Sequence, residues 1–284
     1  MNTIKPQGKV ILAGAGPGDP DLISVKAANY LQQADVVLTD RLVSKEIIAR
    51  YVKPSASVIE VGKQCRRGVS TPQATINELL IHYAQQGKFV VRLKGGDIAF
   101  YSNVFDELET LVANQIPYEI VPGITAASGA SACAGIPLTA RDHATAVRFL
   151  TYYKSTVVKD TYWKELAATD DTLVFYMSSE TLDDLVNKLI ENGIAEDIQL
   201  AVIEQASTPF QQVYVSNVHK YADTLKGQSF LSPSLVIIGK VVNLHQSFNW
   251  FAGSDIREYY FQPLTAQVET MVKKDTNKQY VSRA

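Results

Sequence analysis

Three short stretches put glycine beside residues able to do chemistry: Gly14–Asp19 in GAGPGD, Leu93–Asp97 in LKGGD, and Val121–Ser131 in VPGITAASGAS. Glycine lets a backbone approach a ligand with no side chain between them, and the first amides of a following helix are ready donors. The dinucleotide fingerprint needs glycine at its first, third and sixth positions; counted from Gly14, the third is Gly16 but the sixth is Asp19. The triphosphate-cradling loop needs Gly-Lys-Ser/Thr five residues after its first glycine, and neither Gly14 nor Gly16 has it. Asp19 and Asp21 would face a triphosphate with like charge, so a cationic or zwitterionic ligand suits this loop better.

The elements that must position these loops are legible as alternating patterns. VILAGA, DVVLTD, SVIEVG, FVVRLKGG and YEIVPG read as buried strands, and helical spacing begins at Ser24 and recurs over Thr75–Gln86 and Phe105–Asn114. That alternation predicts an α/β fold with a mostly parallel sheet whose strand ends carry the loops. STPQATINELL predicts a helix capped by Thr71 with Pro72 at its first position, where the missing N–H costs nothing. After IPLTARDHA, the stretch TYYKSTVVKDTYWKEL reads as a polar, aromatic-rich connection. A second series follows in TLVFYM, a helix over Leu182–Asn192, IQLAVIEQAST, QQVYVSN and SPSLVIIGKVV. The close spacing of LAVIEQ and QQVYVS predicts a hairpin, making this second sheet mixed. The pattern weakens beyond Leu244, and MVKKDTNKQYVSRA reads as a mobile terminus.

A chain of 284 residues, 46 % hydrophobic, has the length for one large or two medium domains, and the change in pattern favours two. A formal net charge of −2 argues against a nucleic-acid partner, which needs a basic face. Cys65 and Cys133 lie far apart, as expected of reduced thiols rather than a metal knuckle or disulfide scaffold. MNTIKPQGKV lacks the apolar core of a signal peptide, and no stretch approaches the roughly 20 apolar residues of a membrane span, so a soluble cytoplasmic protein is expected. His82, His143, His219 and His245 are scattered without metal-ligand spacing; His143, beside Arg141, is the one inside a motif.

Taken in order, GAGPGDPDLISVKAANYLQQADVVLTDRLVS, VGK, VVRLKGGD, IPYEIVPGITAASGASACAGIPLTARDHA, TLVFYM and SPSLVIIGKVV resemble the tetrapyrrole methylases, which are S-adenosylmethionine-dependent class III methyltransferases. The likeness runs from Val10 to Val242 and is strongest to the branch acting on uroporphyrinogen III. It implies two α/β domains with the cofactor in the cleft between them, commonly in a homodimer. The expected division is an N-terminal domain over residues 1–142, a C-terminal domain over 143–245 and a tail over 246–284.

The resemblance implies cofactor contacts at Pro17, Gly95, Gly96, Asp97, Thr125, Ala126, Met177 and Ala206, with the segment around Pro233 nearby. The sulfonium and ammonium of S-adenosylmethionine suit carbonyl oxygens and a carboxylate such as Asp97, while adenine needs apolar walls such as Met177. Taken alone, Met177 in LVFYM reads as a strand core residue. The implied reaction is C-methylation of uroporphyrinogen III at C2 and C7, giving precorrin-2 and S-adenosylhomocysteine, for sirohaem or cobalamin synthesis. Downstream dehydrogenase and chelatase steps are expected on separate chains.

A polycarboxylate substrate requires cations gathered locally. Arg141 in PLTARDH ranks first and Lys63 second, ahead of Arg41, Arg66, Arg67 and Arg148. Asp40 in TDRLVS matches a family aspartate expected to orient pyrrole N–H groups or help remove a proton; the alternative is an aspartate capping the next turn. One stretch departs from the family. GGDIAFYSNVFDE replaces GGDPFIFGRGGEE, so the proline becomes Ile98, the arginine becomes Asn103, and Asp106 stands at an acidic substrate position. Asparagine lacks the charge and fork of a guanidinium, which leaves the general base open. Other precorrin methyltransferases, and a non-catalytic binder of the cofactor or a tetrapyrrole, therefore stay as alternatives. A sister branch acting on ribosomal RNA is disfavoured by the near-neutral charge.

Overall fold

Val10, Ile11, Leu12 and Ala13 have no solvent exposure, because the strand they form, β1 (Lys9–Gly14), is central in a sheet covered on both faces. The computed structural model describes residues 8–62, 71–152 and 160–262. Lys63, Cys65, Arg66, Arg67 and the terminal MVKKDTNKQYVSRA lie outside the described residues. The chain divides into a first compact unit running to Thr125 and a second over Ala126–Tyr260.

In the first unit β1 is joined by β2 (Val36–Thr39), β3 (Ser57–Glu60), β4 (Phe89–Lys94) and β5 (Tyr118–Val121), in the order β3-β2-β4-β1-β5. All four pairings are parallel. Helices on both faces explain why the strands read as continuous apolar runs rather than alternating ones. Ile11, Ala13, Val37, Val91 and Leu93 pack on one face with Leu31 of α1 (Val25–Gln33) and Ile47 of α2 (Lys45–Tyr51). Val10, Leu12, Val36, Leu38 and Val90 pack on the other with Ile76, Leu80 and Ala84 of α3 (Gln73–Gln85) and Leu111 of α4 (Val104–Ala113). Parallel pairing brings the C-terminal ends of all five strands to one edge, where the glycine loops emerge.

The start of α3 differs by one residue from its sequence signal. Pro72 occupies the cap position, with no side-chain capping bond, and Gln73 is the first helical residue. Ser24 caps α1 as its side chain accepts from the Ala27 amide at 3.3 Å.

The second unit begins with α5 (Ala126–Ala134) and contains β6 (Val147–Thr151), α6 (Asp160–Ala168), β7 (Thr172–Tyr176), α7 (Leu182–Glu191), β8 (Gln199–Glu204), β9 (Gln212–Asn217) and β10 (Ser234–Gly239). Its sheet runs β6-β7-β10-β8-β9. β6 and β7 are parallel and the other pairs antiparallel, including the expected β8–β9 hairpin. Edge strand β6 precedes the stretch read as a plain connection and ends on its first residue, Thr151, while the end of that stretch enters α6, which buries Trp163, Leu166 and Ala167 against the sheet. On the opposite face lies α5, whose small side chains Ala127, Ala130 and Ala134 join Val174, Ile203 and Ile237 in the core.

Beyond Leu244 the chain remains part of this unit. Trp250 Nε1 donates to Ala132 O at 2.8 Å, and residues to Tyr260 are bound to the β8–β9 connection. Among the described residues no helix is long and apolar enough to cross a membrane.

Candidate active site

The three glycine stretches meet at the C-terminal edge of the first sheet. Gly16 and Gly96 exchange backbone hydrogen bonds at 3.1 and 2.7 Å, and the Ala15 amide donates to Lys94 O at 2.7 Å. A Cβ on Gly14 would lie 2.6 Å from Gly96 O and 2.8 Å from the Gly123 Cα, so the close approach of three main chains excludes any side chain there. Pro17 is buried, while Gly95, Gly96 and Thr125 are half-buried.

Asp97 fastens the loops from within. Its Oδ1 accepts the Ala99 amide at 2.7 Å and its Oδ2 the Gly123 amide at 2.8 Å. Both oxygens are therefore engaged by main chain, a role that the reading of Asp97 as a plain counter-ion did not include. Asp40 acts as the turn-capping alternative required: Oδ1 accepts the Leu42 amide at 2.8 Å, and Oδ2 accepts from Gly95 N at 3.3 Å. It is half-buried, and it links the end of β2 to LKGGD. Asp19 and Asp21 both have partners within the first unit. Asp19 accepts the Asp21 amide at 2.9 Å, and Asp21 pairs with Arg50 at 2.5 Å.

Directly beneath LKGGD sits a charged cluster that sequence reading missed. Glu107 of α4 is wholly buried, and its Oε1 accepts from Arg92 Nε at 3.1 Å and Lys94 Nζ at 3.0 Å. Arg92 also donates to the carbonyls of Leu38 and Leu93. Burial holds the Lys94 ammonium below its ordinary range, against the opposing pull of Glu107. The neighbouring Asp106, the acidic position singled out for substrate, is exposed. The signal available was the alternation of β4, VVRLK, in which two cations fall at the end of an otherwise apolar buried strand.

Asn103 is exposed and stands at the cap of α4 with φ +54°, a left-handed conformation that asparagine tolerates better than arginine. Ile98, in place of the family proline, is buried against the α3–α4 face. Between Asp97 and the first turn of α4, Phe100, Tyr101 and the helical Phe105 each expose aromatic surface, a feature the sequence did not single out.

In the second unit, Tyr176 at the end of β7 lies opposite Leu235, which in turn lies opposite Ile203. Met177, Ala206 and Pro233 therefore share one edge of that sheet, and Gln205 N donates to Pro233 O at 2.8 Å. Met177 is no core residue. It follows β7 with φ +54° and 44 % exposure, a strained conformation for a side chain that leaves the core. Ala126 opens α5, and the next amide, Ala127 N, donates to the Tyr176 hydroxyl at 3.2 Å. Arg141 is exposed in a tight turn preceding Asp142 at φ +64°, and among the described residues nothing pairs with its guanidinium. Arg148, in contrast, is held by Glu165 at 2.5 Å and Asp171 at 2.6 Å. Its charge is spent within the fold. Lys63 lies outside the described residues.

The decisive comparison is with protein families: the model of the tetrapyrrole (corrin/porphyrin) methylases matches residues 9–222. The chain belongs to the tetrapyrrole methylases. It is 42 % identical over 256 residues to a siroheme synthase of Vesicomyosocius okutanii subsp. Calyptogena okutanii, covering 90 % of this chain and 54 % of that protein. The chain thus spans about half the length of the curated relatives it matches. Among solved structures, a cobalt precorrin-4 methyltransferase of cobalamin biosynthesis is 30 % identical with a TM-score of 0.73, covering 82 % of this methylase and 95 % of that chain. The uroporphyrin-III C-methyltransferase of Thermus thermophilus, complexed with S-adenyl homocysteine, is 31 % identical with a TM-score of 0.69, covering 84 % and 94 %.

Proposed function

We propose that this methylase transfers methyl groups from S-adenosylmethionine to C2 and C7 of uroporphyrinogen III, giving precorrin-2 on the way to sirohaem or cobalamin. The observation that carries the reading is the likeness to the Thermus thermophilus enzyme over nearly its whole length, joined with the glycine-lined edge of this chain's first sheet. The residues fit such a cofactor. Ile124 and Met177 leave apolar surface exposed after strands, as an adenine requires, and the loops lack the lysine and glycine pattern of a triphosphate site. When bound, the sulfonium supplies an activated methyl and its own leaving group, so the protein must mainly position and exclude water.

In this reading Pro17, Gly95, Gly96, Asp97, Thr125 and Ala126 contact the cofactor, and Met177 and Ala206 are the contacts of the second sheet's edge. Asp97 shapes the loop by holding the Ala99 and Gly123 amides. Arg141 meets a substrate carboxylate, Lys63, Asn103 and Asp106 take further substrate contacts, and Asp40 orients pyrrole N–H groups while holding Gly95. Exposed Phe100, Tyr101 and Phe105 suit the flat face of a macrocycle. A homodimer in the cytoplasm belongs to the same proposal.

A second reading, methylation of a later precorrin, is favoured by the higher TM-score to the cobalt precorrin-4 enzyme and by the altered Ile98–Asp106 stretch. Incubation with methyl-labelled cofactor and freshly reduced uroporphyrinogen III separates the two. Label in a doubly methylated product supports the first reading; no transfer to this substrate, with transfer to a later precorrin, replaces it with the second.

A further inference from the structure

From Asn249 to Phe261 the chain forms no helix or strand, yet it is fastened to the β8–β9 connection at successive points. Ser254 N donates to Pro209 O at 2.7 Å and Gln212 Nε2 to Ser254 O at 2.9 Å. The side chain of Gln205 mimics a strand partner: Nε2 donates to Glu258 O, and Oε1 accepts the Tyr260 amide, both at 2.7 Å. Arg257 makes the charged fastening. It donates to the two oxygens of Glu204 at 3.1 and 2.6 Å and to Ser229 O at 2.6 Å. Glu204 is wholly buried and also accepts the Leu231 amide at 2.6 Å.

This arrangement is unusual in where it spends polarity. Glu204 at the end of β8 and Gln205, Ser207, Thr208 and Gln211 of the short connection after it are all buried polar residues, with Gln205 and Ser207 in left-handed backbone at φ +46° and +65°. Apolar residues would stabilise such a turn at least as well, whereas a satisfied polar network fixes one conformation. Left-handed residues with side chains persist only where their surroundings over-determine them, and here much of that determination comes from the C-terminal strap. The loop so fixed contains Ala206, and the Arg257–Glu204 hub also ties down Ser229–Leu231, just ahead of Pro233.

We propose that Arg257 is a positioning residue for cofactor binding: through Glu204 it locks the Gln205–Ser207 loop, so that strap docking and cofactor binding stabilise each other. The inference rests on the reading that Ala206 touches S-adenosylmethionine, and it concerns a residue beyond the 9–222 stretch that the family model matches. Without Arg257, the buried Glu204 carboxylate keeps the Leu231 amide and the Tyr214 hydroxyl but loses its paired cation, and must draw in water or a proton, moving the loop. By linkage, whatever the strap contributes to cofactor affinity, bound cofactor returns as protection of the strap.

The test measures S-adenosylhomocysteine affinity by calorimetry and amide exchange by mass spectrometry on the full chain, for the wild type, Arg257→Met, Arg257→Lys and Gln212→Ala. The expected result is weakening of about tenfold or more in Arg257→Met, within the 5- to 150-fold span of typical coupling. Arg257→Lys restores part of it, and the Michaelis constant for the tetrapyrrole is unchanged. In the wild type, ligand slows exchange over residues 254–260. If Arg257→Met does not fold, Gln212→Ala, which loosens the strap without stranding a charge, carries the same expectation at smaller amplitude. Affinity within twofold of wild type in folded variants, or strap exchange indifferent to ligand, overturns the proposal. A wild type that binds no S-adenosylhomocysteine overturns the cofactor reading instead; exchange at Gln205–Ser207 and Leu231 then decides the fastening, which unchanged rates in Arg257→Met would refute.

Discussion

Replacing Glu107 by glutamine tests the reasoning about the charged cluster under LKGGD most directly. The wild-type carboxylate has no solvent exposure and serves Arg92 and Lys94 through one oxygen at 3.1 and 3.0 Å. The substitution keeps the shape and removes the charge, leaving two buried cations without the anion that pairs them directly. Breaking a buried ion pair from one side costs about 3–5 kcal/mol, a large share of the roughly 5–15 kcal/mol that holds an ordinary domain. Arg92 cannot shed its proton but keeps its bonds to Leu38 O and Leu93 O, whereas Lys94 can discharge. Burial already lowers the folded-state pKa of Lys94 and Glu107 opposes that shift, so glutamine lets it fall further. Below the folded value the buried ammonium carries its full penalty; between the folded and the higher unfolded value the unfolded chain binds more protons, and stability rises with pH. Urea unfolding of Glu107→Gln at pH 6 and pH 9 should therefore show a loss of about 3–5 kcal/mol at the lower pH and a clearly smaller loss at the higher one. A penalty under about 1 kcal/mol, or one equal at both pH values, would refute the account of a buried cation stabilised by this carboxylate.

Gly14→Ala pushes a Cβ to 2.6 Å from Gly96 O, where only main chain can yield, and should cost about 1–3 kcal/mol in urea unfolding while displacing the loop at Gly96; wild-type stability would contradict the close approach. Glu119, hydrogen-bonded by Lys26, Lys9 and Tyr30, has its pKa lowered from 4.5 to about 2, so its stabilising contribution is complete above 4.5 and is lost as pH falls toward 2. Acid unfolding of Glu119→Gln should accordingly be flatter than wild type across that window, and parallel curves would discount the cluster. Met177→Gly relieves left-handed strain of about 1–2 kcal/mol while adding about 0.5–1 kcal/mol of chain entropy, so thermal stability should hold or rise slightly as S-adenosylhomocysteine binding weakens. A marked fall in melting temperature would mean that Met177 packs as a core residue after all.

Sequence reading located the first sheet well because its inner strands β1, β2 and β4 are buried on both faces and so stand out as apolar runs between turn residues. It failed at β6, where every residue is half-buried at a sheet edge and no run or clean alternation forms. In α6 the spacing of Trp163, Leu166 and Ala167 is helical, but the tyrosines and charges around it obscured the stripe. The glycine loops were legible because close main-chain contact admits few other residues. The fates of the aspartates were not: whether Asp97 meets a ligand or the Gly123 amide depends on a segment 26 residues away. Taken alone, Met177 reads as a core residue for a related reason, since composition continues the strand for one residue after the backbone has turned out of it.

The order in which strands enter the first sheet shapes how the polypeptide must be made. Both neighbours of β1, at Phe89–Lys94 and Tyr118–Val121, are synthesised long after it, and β2 also waits for β4 before it connects to β1. A ribosome pausing before Phe89 holds a nascent chain in which the apolar segment Val10–Ala13, fully buried in the finished fold, has neither strand partner yet made. Long-range parallel pairing of this kind delays closure and prolongs exposure of sticky surface. Chaperone capture during translation should therefore centre on this N-terminal run and end once the fifth strand has emerged.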